Sequence, residues 1–507
     1  MQEATFTRRA GGIGLRSERG PVLGSVMLTT GLVALDSTII ATAVPSVVRD
    51  LGGFAHFPWL FSVYLLTAAV TTPLYGKLAD TLGRRPVMFF GIGVFLAGSV
   101  LCGAAWSMLT LIVFRAVQGI GAGAIQPMSM TIIGDLYTVE ERARVQGYVA
   151  GVWGVASVIG PTLGGVFSEY LSWRWIFFVN LPLGLAAAWM LLRHLRENVE
   201  RRRHRIDYLG AGLLISGCTL VILGTLEGGI TWAWLSAPSV VIFVLGAVLV
   251  TAFVLVERRA AEPILPLWVF RSRTLIGGNL ASVTVGALVI GLSSYVPNFA
   301  QGVLGASAVL AGFVVAAVTL GWPVTAAMSG RVYLRIGFRN TALSGAAIII
   351  VGTGLCFLLS EGTTIAMLAL ACFIVGMGLG LTAAPTLVAV QSVVGWDRRG
   401  VVTGTNMFAR SIGSAVGVAV FGAIANTTLD RRFAAAPPDV RPALTSGADA
   451  TSIVLKGGSV PADVADYVRA SLYAATHNVF LAVAVVGVCS LLVVLLIPRR
   501  IEQLPSA

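Results

Sequence analysis

Charged residues are scarce in this chain. Only 11% of its 507 residues are Asp, Glu, Lys or Arg, whereas 56% are hydrophobic, and the mean hydropathy is +0.86. Soluble domains carry about 25% charged residues. A soluble fold of this composition would expose far too much apolar surface to water, so the composition indicates a membrane protein.

Motifs for catalysis, metal binding and nucleotide binding are also missing. The sequence contains no H-E-x-x-H, no G-x-S-x-G and no G-x-x-x-x-G-K-[ST] phosphate loop. The five cysteines occur singly in separate apolar segments, which excludes a disulfide framework and a cysteine metal site. We therefore expect no enzyme, no direct use of ATP, no cofactor and no metal.

Long apolar segments are what the chain has in abundance. Fourteen segments reach the length of about 20 mostly apolar residues that a membrane-spanning helix needs. They show no period-two alternation, which excludes a membrane barrel. The pattern predicts an all-α membrane protein with fourteen transmembrane helices.

The basic residues, which give the chain a net charge of +12, are placed as the predicted topology requires. With fourteen spans and a cytoplasmic N-terminus, most of the 35 Lys and Arg residues fall in connections on the cytoplasmic side. This distribution predicts a multi-pass protein of the cytoplasmic membrane with both termini cytoplasmic. It indicates a lipid bilayer as the partner of the basic residues, not nucleic acid.

An internal repeat divides the chain. Residues 76–85 read GKLADTLGRR and residues 330–339 read GRVYLRIGFR, with glycine, base, glycine and base at matching offsets. Two halves related by an axis along the membrane normal explain this repeat. We predict a tail at 1–21, a six-helix bundle at 22–200, two linker helices at 201–260, a second six-helix bundle at 261–498 and a tail at 499–507. In the outer loop 428–473, apolar residues at helical spacing predict a short amphipathic helix at the membrane surface; they are Val464, Tyr467, Val468 and Leu472.

Five motifs in order carry a resemblance to a known family. Residues 76–85 resemble the signature loop of the major facilitator superfamily. Residues 35–45 (LDSTIIATAVP), 115–123 (RAVQGIGAG), 151 with 160–165 (GPTLGG) and 173–182 (WRWIFFVNLP) resemble motifs of its fourteen-span drug:proton antiporters, the EmrB/QacA type. The resemblance implies the major facilitator fold, with two six-helix bundles and two extra helices between them. The signature residues it implies are Gly76, Lys77, Asp80, Gly83, Arg84 and Arg85.

Asp36 and Arg115 are charges inside apolar spans. A charge at the centre of a spanning helix costs about 2.5 to 3.5 kcal/mol on insertion scales, so each needs a partner or a cavity. Both lie roughly 10 to 14 Å from the outer ends of their helices, which makes pairing feasible. Our hypothesis is that Asp36 binds the coupled proton and that Arg115 tunes its proton affinity. The alternative is a permanent ion pair that clamps two helices.

Glycines four residues apart let membrane helices approach closely. Packing is the simpler interpretation for Gly119 with Gly123, and for Gly413 with Gly417. The Gly160–Pro161 pair is different, because proline bends a helix and the family resemblance associates this bend with export and with preventing leak. The antiporter motif that the resemblance implies contains Gly151, Gly160, Pro161, Gly164 and Gly165.

The charged connections predict a latch at the cytoplasmic surface. We expect Asp80 to pair with nearby arginines, and Glu140 or Glu141 to pair with Arg142. Exposed pairs of this kind contribute only about 0 to 1 kcal/mol each, so a latch needs several. Leu334 stands where the second half would repeat Asp80, which predicts a degenerate latch in that half.

Arg410 is the other costly interior charge. Gln391 and Asn406 are candidate partners from the sequence. Several polar and aromatic side chains inside the spans could line a substrate cavity, although packing or interhelical hydrogen bonding is the simpler interpretation of any single one. Together with Arg410, the candidates for the cavity are Trp59, Tyr64, Gln118, Gln126, Tyr295, Asn298 and Gln391.

The sequence favours a proton-coupled secondary exporter of a lipophilic small molecule. The few acids in the spans make strict selection of multivalent cations less favoured than a neutral or singly charged lipophile. Export of an endogenous cell-envelope lipid or metabolite is the alternative, and a non-transporting sensor or scaffold is a second one. We expect a monomer.

Overall fold

The structure is a computed structural model. It describes residues 14–52, 59–195, 197, 207–228, 232–233, 236–260, 262–441 and 461–501. Most of the predicted N-terminal tail, most of the connection before the linker helices and the middle of the outer loop lie outside these ranges.

The described residues form helices almost throughout. Fourteen helical stretches within these ranges are long and apolar enough to span a membrane, with α6 and α7 together forming one of them. No β-strand occurs in the described part of the chain. The helices are α1 (Gly20–Leu51), α2 (Trp59–Leu82), α3 (Arg84–Gly103), α4 (Met108–Leu136), α5 (Val139–Tyr170), α6 (Trp175–Phe178), α7 (Asn180–His194), α8 (Tyr208–Glu227), α9 (Ala237–Glu257), α10 (Arg273–Gly302), α11 (Ala308–Ile336), α12 (Phe338–Phe357), α13 (Ile365–Ser392), α14 (Arg399–Ala434) and α15 (Ala462–Val494).

The helices form two bundles and a hairpin. In the first, α1 packs on α5 and α7, and α4 packs on α2 and α3; in the second, α13 packs on α11 and α12, and α10 packs on α14 and α15. Helices α8 and α9 pack on each other, and α8 also contacts α2 and α14. Each bundle has its own buried apolar clusters. The predicted fold class is confirmed.

The sequence repeat reappears as a repeated turn. Gly83 and Gly337 each separate two helices and have φ values of 98° and 83°. Only glycine adopts such values without strain, which explains why both copies of the motif keep it. The predicted connection at residues 76–85 is mostly helix, because α2 continues to Leu82.

The two bundles meet at one face of the molecule. We call the face where α1 begins and α15 ends the terminal face, and the opposite one the far face. At the terminal face, α2 packs on α14 and α5 on α11. A Cβ on Gly76 would lie 2.6 Å from the Gly400 carbonyl oxygen, and one on Gly330 would overlap Ala143. The structure is therefore closed at the terminal face.

The predicted surface helix in the outer loop is wrong. Helix α14 continues to Ala434, and α15 begins at Ala462, so the predicted segment is the first part of a long spanning helix. Val464, Val468 and Leu472 are buried, because they join the apolar cluster of the second bundle.

Candidate functional site

Asp36 and Arg115 form an ion pair in the first bundle. The Arg115 Nη1 donates to the Asp36 Oδ2 at 2.7 Å, and each side chain is 1% exposed. Asp36 lies on α1 and Arg115 on α4, so the pair joins two helices through their apolar interior. The predicted pairing is confirmed.

Two amides complete the surroundings of the Asp36 carboxylate. Gln118 and Asn180 donate to Asp36 Oδ1 at 2.8 and 2.9 Å. Their amides also contact the Ser99 hydroxyl, at 2.8 and 3.2 Å. These residues come from α1, α3, α4 and α7. We call Asp36, Ser99, Arg115, Gln118 and Asn180 the carboxylate cluster.

Arg115 has further contacts that do not depend on Asp36. Its Nε donates to the Leu60 carbonyl at 3.1 Å, and its Nη1 donates to the Gln118 Oε1 at 2.7 Å. The guanidinium carbon lies 4.1 Å from the centre of the Tyr64 ring, a cation–π contact. The guanidinium would therefore stay partnered if Asp36 lost its charge.

The cluster changes the interpretation of four residues. Tyr64 and Gln118 were candidates for a cavity, but both are buried against Arg115, which matches the simpler interpretation as packing and interhelical hydrogen bonding. Ser99 and Asn180 were not identified as site residues from the sequence. A signal was present for Asn180, because an amide in an apolar span needs a partner.

The antiporter motif packs α5 onto α1 through two of its glycines. A Cβ on Gly160 would overlap the Thr38 hydroxyl, and one on Gly164 would overlap the backbone of Ile39. The Thr38 hydroxyl also donates to the Ala156 carbonyl at 3.0 Å, across the same contact. This supports the packing interpretation. Gly151 and Gly165 of the same motif face open space.

The other predicted glycine pairs also pack closely. A Cβ on Gly123 would lie 2.7 Å from the Ala68 carbonyl oxygen of α2, and Gly119 meets the same helix one turn away. Gly413 and Gly417 meet α10 in the same way. The packing interpretation is confirmed for both pairs.

Asp80 joins the two bundles at the terminal face. Its carboxylate accepts the backbone N–H groups of Gly400 and Val401 at 2.9 and 2.8 Å. It also pairs with Arg84 at 3.0 Å, one turn along its own chain. Asp80 thus binds the N-terminus of α14 from the other bundle.

Asp135 adds a second link between the bundles. It pairs with Arg84 at 2.8 Å and with Arg399 of α14 at 3.1 Å. The Arg84 guanidinium lies 3.8 Å from the centre of the Trp396 ring and donates to the Trp396 carbonyl. We call Asp80, Arg84, Asp135, Trp396 and Arg399 the terminal-face network.

The network differs from the predicted latch in two ways. Its ion-pairing side chains are 1 to 5% exposed, so the pairs are buried instead of exposed. Arg142 donates to the carbonyls of Tyr137 and Gly134, and Glu141 instead pairs with Arg19 at 3.0 Å. The predicted pair of Glu140 or Glu141 with Arg142 is wrong, since neither pair forms among the described residues and the capping position of Glu141 on α5 turns it towards α1.

The second half replaces the missing acid with a different contact. Leu334 is 47% exposed and forms no latch. The neighbouring Tyr333 donates its hydroxyl proton to the Val139 carbonyl of the first bundle at 3.0 Å. The degenerate latch of this half is thus a single hydrogen bond between α11 and α5.

Two signature residues lie at the edge of the network. Lys77 pairs with Glu262 at 3.9 Å, which ties α2 to the chain after the linker hairpin. The Glu197 carboxylate accepts the backbone N–H groups of Arg84 and Arg85 at 2.9 and 2.8 Å. The start of α3 is therefore held by the connection that leads out of the first bundle.

Neither candidate partner from the sequence binds Arg410. Gln391 donates to the Met130 carbonyl at 3.3 Å and to Thr403 at 2.9 Å, across the bundle interface. Asn406 donates to the Gly278 carbonyl on α10 at 3.0 Å. Among the described residues, the half-buried Arg410 side chain has no hydrogen bond and no ion pair.

The remaining cavity candidates are scattered along the helices. Each is half-buried, so each has part of its side chain open to space; they are Trp59, Gln126, Tyr295 and Asn298. Gln391 is buried in the bundle contact. In the described part of the chain, no three His, Cys, Asp or Glu side chains come together as metal ligands.

Comparison with known proteins places the geometry in a family. The model of the Major Facilitator Superfamily matches residues 26–418. The chain is 36% identical over 416 residues to the multidrug transporter protein MdtP of Bacillus subtilis, covering 81% of this chain and 77% of that protein. It is 34% identical over 427 residues to multidrug resistance protein 3 of the same organism, with coverages of 84% and 83%.

More distant similarities extend over nearly the whole chain. The efflux pump dotC of Dothistroma septosporum is 30% identical over 487 residues, covering 94% of this chain and 84% of the pump. The crystal structure of the human organic anion transporter MFSD10 superposes with a TM-score of 0.62 at 16% identity, over 94% of this chain and 99% of that one. At that identity the superposition supports the fold alone. With its fourteen candidate spans and its two bundles, this multi-pass membrane protein belongs to the major facilitator superfamily and is a transporter, not an enzyme.

Proposed function

We propose that this chain is a proton-coupled exporter of lipophilic small molecules, an antiporter that works by alternating access across the cytoplasmic membrane. Relatives whose names describe multidrug transport and efflux support the export of drug-like compounds. The proposal makes the terminal face cytoplasmic, in agreement with the positive-inside distribution of Lys and Arg. The bundles at 22–200 and 261–498 are then the moving halves of a monomer, and residues 201–260 join them.

The observation that carries the proposal is the buried ion pair of Asp36 and Arg115. The carboxylate has one charged partner, and its other contacts come from neutral amides. A proton on Asp36 therefore removes the main attraction between α1 and α4. Arg115 keeps the Leu60 carbonyl and the Tyr64 ring, so the neutral state is accessible without an isolated cation.

A contiguous set of contacts links Asp36 to the second bundle. Two residues after Asp36, Thr38 packs on Gly160 of α5. Helix α5 in turn packs on α11 of the second bundle near the terminal face. A change in the tilt of α1 thus acts on a helix that crosses the bundle interface, which is a physical route from proton binding to the conformational equilibrium.

In the proposed transport cycle, the terminal-face network holds the transporter closed to the cytoplasm. In this structure the network is formed and the terminal face is closed, which in the proposed orientation closes the transporter to the cytoplasm. This is the state in which an exporter releases its substrate and takes up a proton. Opening to the cytoplasm requires the contacts of Asp80 with Gly400 and of Asp135 with Arg399 to break.

The test uses inverted membrane vesicles with an established pH gradient. Vesicles receive a panel of lipophilic cations, neutral drugs and lipids, and substrate-induced proton release is measured with a pH-sensitive dye. Asp36→Asn is compared with Asp50→Asn, a matched control because Asp50 pairs with Arg174 at 2.7 Å but is 47% exposed. We expect the release to be lost in Asp36→Asn and kept in the control.

Downhill exchange of labelled substrate separates coupling from folding. Asp36→Asn should still exchange substrate down its gradient, because its fold and substrate cavity are intact. Full proton coupling in Asp36→Asn would show that Asp36 is not the proton site. A response restricted to lipids would favour the endogenous-lipid alternative, and the absence of transport of any compound would contradict the exporter function.

A further inference from the structure

Arg410 is a cation in the interior of the second bundle, on α14. Its guanidinium is half-buried and makes no hydrogen bond or ion pair within the described ranges. Other interior arginines have partners within the chain: Arg115 pairs with Asp36, Arg399 pairs with Asp135, and Arg142 donates to backbone carbonyls. A cation in this position calls for an anion that is not part of the helices around it.

The sequence of the second bundle contains no carboxylate that could fill this role. Helices α10 to α13 have no Asp or Glu, α14 has only Asp430, near its far-face end, and α15 has only Asp463 and Asp466, at its far-face start. The interior carboxylates of the first bundle, Asp36, Asp80 and Asp135, each already bind an arginine. Among the described residues, none of these carboxylates pairs with Arg410, which leaves the guanidinium open to an anion from outside the chain.

The position of Arg410 on α14 turns it towards the interior. Asn406 marks the face of α14 that packs on α10. Thr403 marks the face that meets Gln391 of α13, which in turn reaches the Met130 carbonyl of α4. Arg410 lies seven residues, close to two helical turns, after Thr403 and so shares its strip. It lies about 10 Å further from the terminal face than Thr403.

An unpaired amide lies at the same depth in the first bundle. The pair of Arg399 with Asp135 sets the terminal-face ends of α14 and α4 level with each other. Arg410 is about 16 Å along α14 from Arg399, and Gln126 is about 15 Å along α4 from its end at Leu136. Gln126 is also half-buried and has no hydrogen-bond partner for its side chain among the described residues. A guanidinium and an amide thus lie at one level of the interior, on helices that pack together.

We propose that Arg410 and Gln126 form an anion-binding subsite, and that the exported substrate is a lipophile with a single carboxylate or phosphate group. This inference rests on the proposed export function and names its substrate class. The guanidinium presents a fork of donors that matches either anion, and the amide adds one more donor. Met130 and Met407, both half-buried at neighbouring positions, supply adaptable apolar walls for the lipophilic body.

The experiment measures binding to the purified full-length chain in detergent. The probes are a dansyl-labelled undecanoic acid and its primary amide, which differ only in charge and one polar group. Wild type should bind the acid at least about tenfold more tightly than the amide. In Arg410→Met this preference should fall to within about twofold, while affinity for the amide is unchanged. Arg410→Lys should retain part of the preference, and the exposed Arg432→Met should retain all of it.

Two further measurements define the ligand and guard against misfolding. Gln126→Ala should weaken binding of the acid about threefold more than binding of the amide. A short-chain phosphatidic acid with the same dye distinguishes the two sources of the anion. Tighter binding of the fatty acid assigns small lipophilic acids, tighter binding of the phosphatidic acid assigns an envelope lipid, and either result supports an anion subsite.

Three results would overturn the inference. They are equal affinity of wild type for acid and amide, an unchanged preference in Arg410→Met, and an equal loss of both ligands in Arg410→Met. Proton release in vesicles distinguishes this failure from that of the proposed function. An acid preference that depends on Arg410, without proton-coupled transport, would retain the anion subsite and reject the antiporter.

Discussion

The carboxylate of Asp80 in the first bundle accepts the backbone N–H of Gly400 in the second bundle at 2.9 Å. The acceptor sits at the N-terminus of α14, where unpaired N–H groups and the helix dipole favour a negative charge. The contact exists only when the two bundles touch at the terminal face. The hydrogen bond of Asp80 therefore depends on closure of the terminal face.

Asp80→Asn should shift the equilibrium towards opening at the terminal face. The substitution removes the charge from two hydrogen bonds with α14, and charge-assisted hydrogen bonds contribute about 1.5 to 3 kcal/mol. The measurement is the distance between spin labels at positions 82 and 334, which are exposed residues of α2 and α11. We expect a population with a longer distance to appear.

The control for this prediction is Asp397→Asn. Asp397 is an exposed acid in the turn just before α14, and its partner is the neighbouring Arg398. Its replacement should leave the distance distribution unchanged. An unchanged distribution in Asp80→Asn would contradict a role of Asp80 in holding the terminal face closed.

Asn180→Ala should lower proton-coupled transport more than downhill exchange of substrate. Asn180 donates to the Asp36 Oδ1 at 2.9 Å and to the Ser99 hydroxyl at 3.2 Å, so its loss removes contacts that hold α7 to α1 and α3 around the carboxylate. The measurement compares substrate-induced proton release with downhill exchange in the same proteoliposomes. Asn340→Ala, a change to an exposed amide of α12, should leave both rates unchanged. Unchanged proton release in Asn180→Ala would contradict a role of Asn180 in the carboxylate cluster.

Gly160→Ala and Gly165→Ala should differ strongly although they lie in one motif. A methyl group at position 160 meets the Thr38 hydroxyl of α1, whereas position 165 faces open space. Overpacking of this kind costs about 1 to 3 kcal/mol. We expect Gly160→Ala to lower transport and thermal stability in detergent, and Gly165→Ala to behave like wild type. Equal effects of the two substitutions would show that close packing is not what the motif provides.

Asp50 should stabilise the far face in a pH-dependent way. The hydrogen bond from the Trp173 indole N–H and the contacts with Arg174 lower the pKa of Asp50 below its ordinary value. A lowered pKa means that the stabilisation is present above the unfolded value of about 4 and is lost as the pH falls through the folded value. The difference in thermal stability between wild type and Asp50→Asn should therefore be equal at pH 8 and pH 5.

The difference in thermal stability between wild type and Asp50→Asn should disappear as the pH falls below about 4. Its size is small, because the pair is partly exposed and solvent screens it. Glu361→Gln, a change to an exposed acid between α12 and α13, is the matched control. A difference that grows on acidification would contradict the assignment.

The spans, the fold class and the pairing of Asp36 with Arg115 could all be predicted from the sequence. Hydrophobic length is a local property, and the lipid environment leaves the backbone few alternatives to the helix. A charge in an apolar span needs a partner, and equal depth on two helices points to the only candidate that fits. The close packing at the glycine pairs was also predictable, because glycines four residues apart lie on one face of a helix.

Other features depend on how helices from distant parts of the chain meet. Ser99 and Asn180 joined the carboxylate cluster because α3 and α7 bring them to Asp36, and no spacing in the sequence encodes that meeting. The network of Asp80 and Asp135 with α14 depends on the contact between the bundles, which joins residues more than 260 positions apart in the sequence.

Fourteen candidate spans in a duplicated helical bundle follow from the sequence, because apolar length and charge placement are local properties of the chain. Which charges find partners follows from the packing of the helices. The terminal-face network is buried, Asp36 accepts from three donors, and Arg410 has no partner among the described residues. Hydrogen bonds and ion pairs act over a few ångströms between helices that are far apart in sequence, so no spacing along the chain predicts them.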